Sequence, residues 1–301
     1  MNRPQAQASH HRAGLILGLL AYGLWGVLPL YFKAVRAVPP FDIVAHRVLW
    51  SLPFLAALIA LSGGWANMKK TLTNRRTVGV LILTALLIGG NWLLYVYAVN
   101  SGHLLAASFG YYLNPLANVL LGRFVLNERL SARQWTAVAI AAAGISVLAA
   151  GALAQLWISL TLCGTFALYG LLRKVVAADA ITGLAIETMI LFPLALLWLA
   201  WRHSVGAPVM GGTNALAGLL LLAGIVSMTP LLLFTAASKR LQYSTLGMLQ
   251  FIAPTLQFLI AMAYGEPLKA AHLIAFPAIW VALALYVSAL MRTPRLPQPP
   301  E

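Results

Sequence analysis

The 301 residues are 61% hydrophobic and 9% charged, a composition that excludes an ordinary soluble globular domain. A net charge of +14 would suit a nucleic-acid partner, but the basic residues lie between long apolar stretches rather than on one face, and that placement decides against nucleic acid. The pattern predicts an all-α integral membrane protein whose surroundings are the lipid bilayer.

In chain order, residues 1–12 are too polar for a span and are expected to form a disordered cytoplasmic tail. Ten apolar stretches of roughly 20 residues follow, each long enough to cross the hydrocarbon core. They run over 13–33, 42–61, 78–99, 103–124, 132–150, 154–173, 182–201, 214–237, 244–264 and 270–291. The first is too long for a signal-peptide core and lacks a small-residue cleavage exit, so it is read as retained. Gly14 and Gly18 in it have the small-xxx-small spacing of close helix packing. Connections are short, the longest at 62–77 and 202–213, and leave no room for a soluble domain. Residues 292–301 form a proline-rich tail expected to be disordered. The single cysteine, Cys163, excludes a disulfide framework and a thiolate metal site.

The tails and even-numbered loops hold Arg3, Arg12, Lys69, Lys70, Arg75, Arg76, Arg123, Arg129, Arg133, Arg173, Lys174, Lys239, Arg240, Arg292 and Arg295. The odd-numbered loops hold only Lys33, Arg36, Arg202 and Lys269, while Arg47 lies inside the second span. By the positive-inside rule both termini are cytoplasmic.

Landmarks recur about 140 residues apart. Asn114 and Pro115 match Ala253 and Pro254, Glu128 and Leu130 match Glu266 and Leu268, Gly23 and Lys33 match Gly164 and Lys174, and Pro53 matches Pro193. The predicted organisation is therefore two five-helix repeats, 13–150 and 154–291. Because five is odd, the second copy must enter the membrane inverted, which is the architecture of alternating-access transporters.

Polar residues inside spans are costly, so each raises a functional question. Arg47 and Glu187 both precede their matched prolines by six residues, with opposite charge. They either pair as a gate or meet different parts of an ion or substrate; the rival reading is that both snorkel to the interface. His46 could titrate near neutrality or serve as an interfacial anchor. Ser108, Tyr111, Pro115 and Asn118 share one helical face, and Gly247, Gln250, Pro254 and Gln257 repeat it. A proline at mid-membrane frees a carbonyl, tolerated against protein or a water-filled cavity, so both stripes are expected to line a cavity with Pro115 and Pro254 as hinges. The rival is hydrogen bonding between helices. Asn91 and Tyr95, with Trp92 beside them, could complete an aromatic, amide-lined pocket. Trp65, Trp157 and Trp201 read as interface belts. No phosphate loop, metal-ligand motif or catalytic set is recognisable, so neither enzyme, ATP motor, metal nor cofactor is expected. An ion gradient, proton coupling included, or the substrate's own gradient would supply energy.

Gly23, Leu24, Trp25 and Gly26 through Tyr31 and Lys33, Ala45, His46 and Arg47 through Trp50 and Pro53, Asn91 and Trp92 through Tyr97 and Ala98, and Ser108 through Asn114 and Pro115 resemble the RarD group. This is part of the EamA branch of the drug/metabolite transporter superfamily. Tyr169 through Lys174, Thr182 through Thr188 and Ser244 through Thr255 are similar to the same group, so the resemblance spans nearly the whole chain. It implies a bacterial inner-membrane protein of ten helices in a five-plus-five inverted repeat, exporting small metabolites or drug-like compounds. The group's pattern has an acid where this chain has Ala106, which leaves Glu187 as the main intramembrane acid. With the resemblance, the first, third, fourth, sixth, eighth and ninth spans are expected to wall the cavity, whose substrate would be an amphipathic metabolite, amino acid or drug-like compound. A passive channel or lipid scramblase with a polar groove is the alternative.

Overall fold

A computed structural model describes residues 3–149, 155–265 and 270–292. The chain runs α1 (Arg3–Ala34), α2 (Pro40–Ser62), α3 (Trp65–Thr73), α4 (Arg75–Asn100), α5 (Leu104–Phe124), α6 (Ala132–Leu148), α7 (Leu156–Val175), α8 (Ala180–Ser204), α9 (Asn214–Ser238), α10 (Tyr243–Leu249), α11 (Ile252–Ala263) and α12 (Ala270–Arg292). Among the described residues, nine helical segments are long and apolar enough to cross a membrane. The fifth expected span falls on α6, whose 17 residues reach about 26 Å, short of the ~30 Å hydrocarbon core.

Helix boundaries follow local chemistry. Pro40 opens α2, where its missing N–H is no loss, and Gly63 closes it in the left-handed conformation at φ 66°. Asn74 caps α4, Ser131 and Gln134 form a capping box at α6, and Asp179 and Thr213 cap α8 and α9. α1 is already helical at Arg3, whereas a disordered tail is expected over residues 1–12. Extending an existing helix adds one hydrogen bond per residue fixed, so the apolar span carries the polar turns before it. Of the expected C-terminal tail 292–301, all but Arg292 lies outside the described residues, as does the Glu266–Leu268 repeat match.

The ninth span is broken. Pro254 has no N–H to donate to the Gln250 carbonyl and its ring crowds that oxygen, so α10 stops at Leu249 and α11 starts at Ile252. Tighter bonds bridge the gap, Gln250 N to Gly247 O and Phe251 N to Met248 O. Pro115 has no such effect, and α5 is continuous through it.

α5 packs on α7 and α10, α2 on α8 and α9, α1 on α9 and α11, α4 on α7 and α8, and α6 on α12. Small residues permit the closest crossings: Gly110 lies against the Ser159 carbonyl and Gly247 against the Pro115 carbonyl. Large apolar side chains such as Leu61, Leu197 and Leu273 face outward, as the outer surface of a bilayer-embedded bundle requires.

Candidate substrate cavity and its sealed end

A cavity of about 520 Å³ occupies the middle of the bundle. It reaches from Arg36 and Val38 in the α1–α2 connection and Val99 at the end of α4 down to Trp25 and Phe166. α1, α2, α4, α5, α7, α9 and α11 all contribute to its wall, with Gln250 from the break between α10 and α11, and the second span adds to the set predicted from sequence.

Several sequence-predicted residues meet on this wall: Arg47, Asn91, Trp92, Tyr95, Ser108, Tyr111, Gln250, Pro254 and Gln257. The guanidinium of Arg47 lies 4.5 Å from the centroid of the Trp92 ring, and its Nε donates to Ser227 Oγ at 2.7 Å. Asn91 is fixed on three sides. Its amide donates to Leu162 O and Thr165 Oγ1, both at 2.9 Å, and its carbonyl accepts from the Tyr111 hydroxyl at 3.1 Å. The Tyr111 ring leans on Tyr95 with centroids 5.7 Å apart. Gln257 donates to the Trp25 carbonyl at 3.1 Å, linking α11 to α1.

The other candidates lie off the wall. His46 is buried; its Nε2 lies 2.7 Å from Val209 O and ties α2 to the α8–α9 connection, while its Nδ1 accepts from Trp50 Nε1 within α2. Asn118 donates to Gln250 at 2.9 Å across the α5–α10 contact, and Asn114 is fully buried beside Pro115. Glu187 is also behind the wall and forms no pair with Arg47. Ser227, Trp25 and Phe166 went unnoticed in the sequence as wall residues, since a serine or aromatic in a long apolar run has no local signature.

Below the cavity the bundle is closed by an aromatic layer and then a charged one. Tyr22, Trp25, Phe166 and Phe234 pack with centroids 5.5–6.2 Å apart. Beneath them Glu187 accepts from Thr84 at 2.6 Å and Tyr169 at 3.2 Å, and faces Arg173 Nε at 3.5 Å, both charges being buried. Gly183 makes this possible, because a Cβ there would fall on the Arg173 guanidinium. The Glu128 carboxylate accepts from the N–H groups of Tyr243 and Ser244 and from the Ser244 hydroxyl, capping α10 from the α5–α6 connection. Lys174 donates to Ser238 O and Leu241 O, and Lys239 to Val176 O, lacing α7 to α9. At the open end, Asp42 holds Arg202 through both carboxylate oxygens and accepts from Trp198, fastening α2 to α8. No group of His, Cys, Asp and Glu among the described residues could hold a metal ion.

The model of the EamA-like transporter family matches residues 12–150. Protein RarD of Salmonella typhi is 44% identical over 96% of this chain and 99% of its own length. The chain belongs to the RarD group of the EamA branch, in the drug/metabolite transporter superfamily. An uncharacterized transporter of Vibrio cholerae is 43% identical over 91% of this chain and 92% of its own. A crystal structure at 20% identity superposes over 94% of this chain and 100% of its own with a TM-score of 0.72, a likeness of fold alone. Family membership and the multiple apolar helices make the chain a multi-pass membrane transporter.

Proposed function

We propose that this RarD-group member is a secondary transporter working by alternating access, exporting small molecules across a bacterial inner membrane. The observation that carries this reading is the asymmetry of the cavity, which reaches the exposed Arg36 at the α1–α2 end and is closed at the other by an aromatic layer over a buried ion pair. A channel needs a continuous path, and this cavity ends in Tyr22, Phe166 and Phe234.

The same reading has ten spans in two inverted five-helix repeats, 13–150 and 154–291, with α10 and α11 forming one span and both termini cytoplasmic. Exchanging the halves maps α1 onto α7, α2 onto α8, α4 onto α9, α5 onto α10 with α11, and α6 onto α12. The packing of α1 on α9 then becomes that of α7 on α4, α1 on α11 becomes α7 on α5, and α2 on α9 becomes α8 on α4; all are contacts of the fold. A structure whose contacts survive the exchange can also exchange which end is open. The positive-inside rule puts the open mouth on the periplasmic side and the sealed end, with Arg173, Lys174 and Lys239, on the cytoplasmic side.

Counterflow in proteoliposomes tests the reading. Vesicles preloaded with an amphipathic compound from a panel of metabolites and drugs are expected to take up the labelled compound saturably, and ion conductance without exchange would sink the carrier in favour of a channel.

Lys239 makes the sealed end sensitive to pH. Burial first, then the nearby Arg173 and Lys174 charges, push its ammonium down to about 8, with Asp179 opposing. When that end opens and the amine is hydrated, it returns toward the ordinary lysine value. Below about pH 8 the sealed state therefore carries the full penalty of a charged Lys239, and the penalty fades as pH rises through 8. Higher pH is expected to favour the sealed state. The measurement is thiol labelling of Ser238→Cys in a Cys163→Ala background, between neutral and alkaline pH. Corrected for the thiol's own ionisation, labelling should fall several-fold, and Lys239→Met should flatten the profile.

A further inference from the structure

The charges around the cavity constrain what it binds, given that it is the transport site proposed above. Two charged side chains belong to its wall among the described residues, Arg47 deep in the cavity and Arg36 at the mouth, and both are positive. Each described acid is already committed elsewhere: Asp42 to Arg202 and Trp198, Glu128 to the start of α10, Asp179 to the start of α8 and Asn67, and Glu187 to Arg173, Thr84 and Tyr169. Arg47 forms no ion pair among the described residues.

Its orientation is nonetheless fixed. Ser227 takes the Nε–H and the face of Trp92 supports the guanidinium plane. The remaining N–H groups of the fork have no hydrogen-bond partner among the described residues, and a guanidinium fork matches the two oxygens of a carboxylate. Trp92, Tyr95 and Tyr111 stand around this point, while Trp25 and Phe166 floor the cavity, so the space beyond the fork suits a flat apolar body.

We infer that the cavity binds a small organic carboxylate, its anionic group on the fork of Arg47 and its flat apolar body between the aromatic side chains. The same charge makes loading a condition for closing. With the mouth open, water solvates Arg47; occluding the cavity would strip that water from a cation with no counter-ion. A bound carboxylate supplies the counter-ion, so the loaded cavity closes more readily than the empty one. An amine finds like charge and no acid on the wall among the described residues, and a neutral compound leaves the guanidinium uncompensated.

Matched triplets test this: phenylacetate, phenylacetamide and phenethylamine, and the three corresponding indole compounds, titrated against the full chain in nanodiscs of zwitterionic lipid with thermal stabilisation as readout. The carboxylates are expected to bind about tenfold or more tighter than the amides, with the amines weakest. Arg47→Gln should bring the carboxylate-to-amide affinity ratio down to about one, a change of ratio within one variant that general misfolding would not produce. Arg47→Lys, which keeps the charge and loses the fork, should retain part of the preference. Amides or amines that match the carboxylates, a preference that survives Arg47→Gln, or carboxylates that fail to bind at millimolar concentration would each overturn the inference. So would displacement of the carboxylates by phosphatidylglycerol added to the nanodiscs, which would assign the fork to a lipid phosphate. Carboxylate binding without counterflow would keep this site and remove the transporter reading; counterflow confined to neutral or cationic compounds would do the reverse.

Discussion

Glu187→Gln is expected to be among the most destabilising single substitutions in this chain. The side chain keeps its shape and can still bond Thr84 and Tyr169, but Arg173 loses the only carboxylate facing it among the described residues. Arg173 is fully buried, and its remaining bonds go to the carbonyls of Asp179 and Ala180 at 3.4 and 3.2 Å. Removing one partner of a buried ion pair costs about 3–5 kcal/mol, because the other charge stays behind without compensation. Thermal unfolding in detergent should show a clear drop. The pair as a unit is worth much less than either deletion suggests, so Arg173→Met added to Glu187→Gln should recover a large part of the loss. A double variant that melts below both single variants would mean that hydrogen bonding, and not charge, holds this end together. Since the same residues close the sealed end, the single variant should also expose Ser238→Cys to thiol reagents.

That ion pair shows where the sequence stops being legible. The apolar stretches were readable because a bilayer leaves an unbroken polypeptide no choice but helix, and nine candidate spans with α6 fall where composition put them. The amphipathic α3 was not, since nine residues between two spans look like a loop. Among polar residues, helical spacing identifies those that share a face but not what lies opposite. Ser108 and Tyr111 look into the cavity, whereas Asn118, about two turns on, looks into the α10 contact and bonds Gln250. Arg47 and Glu187 occupy matched positions, but α2 starts at the open end and α8 at the sealed one. The same distance from the start of each helix therefore places the two charges at opposite depths, each with its own partners. Arg173 read as one of the basic residues of the even-numbered loops. Its burial depends on Gly183, which leaves room for the guanidinium, and on an acid in another helix, and neither signal is local.

Gly224→Ala should have a comparably large effect through packing alone. A methyl group at this position of α9 would fall on the backbone of α2, against the Trp50 carbonyl and the Ser51 nitrogen. Backbone cannot turn aside as a side chain can, so the two helices must separate. Overpacking of this kind costs about 1–3 kcal/mol, and the absence of a yielding side chain puts this site at the upper end. Gly218, in the same helix with open space around its Cα, provides the control. There alanine should be neutral or stabilise by about 0.5–1 kcal/mol, the usual gain in a helix interior. The separation also reaches the cavity. Ser227 lies one turn beyond Gly224 on the face turned to α2, and its hydroxyl holds Arg47 at 2.7 Å. Moving α9 outward draws this anchor away, so Gly224→Ala should weaken carboxylate binding as well as lower the unfolding temperature, while Gly218→Ala changes neither for the worse. Equal melting of the two variants would show that α2 and α9 are not packed backbone to backbone. Lowered stability with undiminished carboxylate affinity would show that Ser227 does not position the guanidinium.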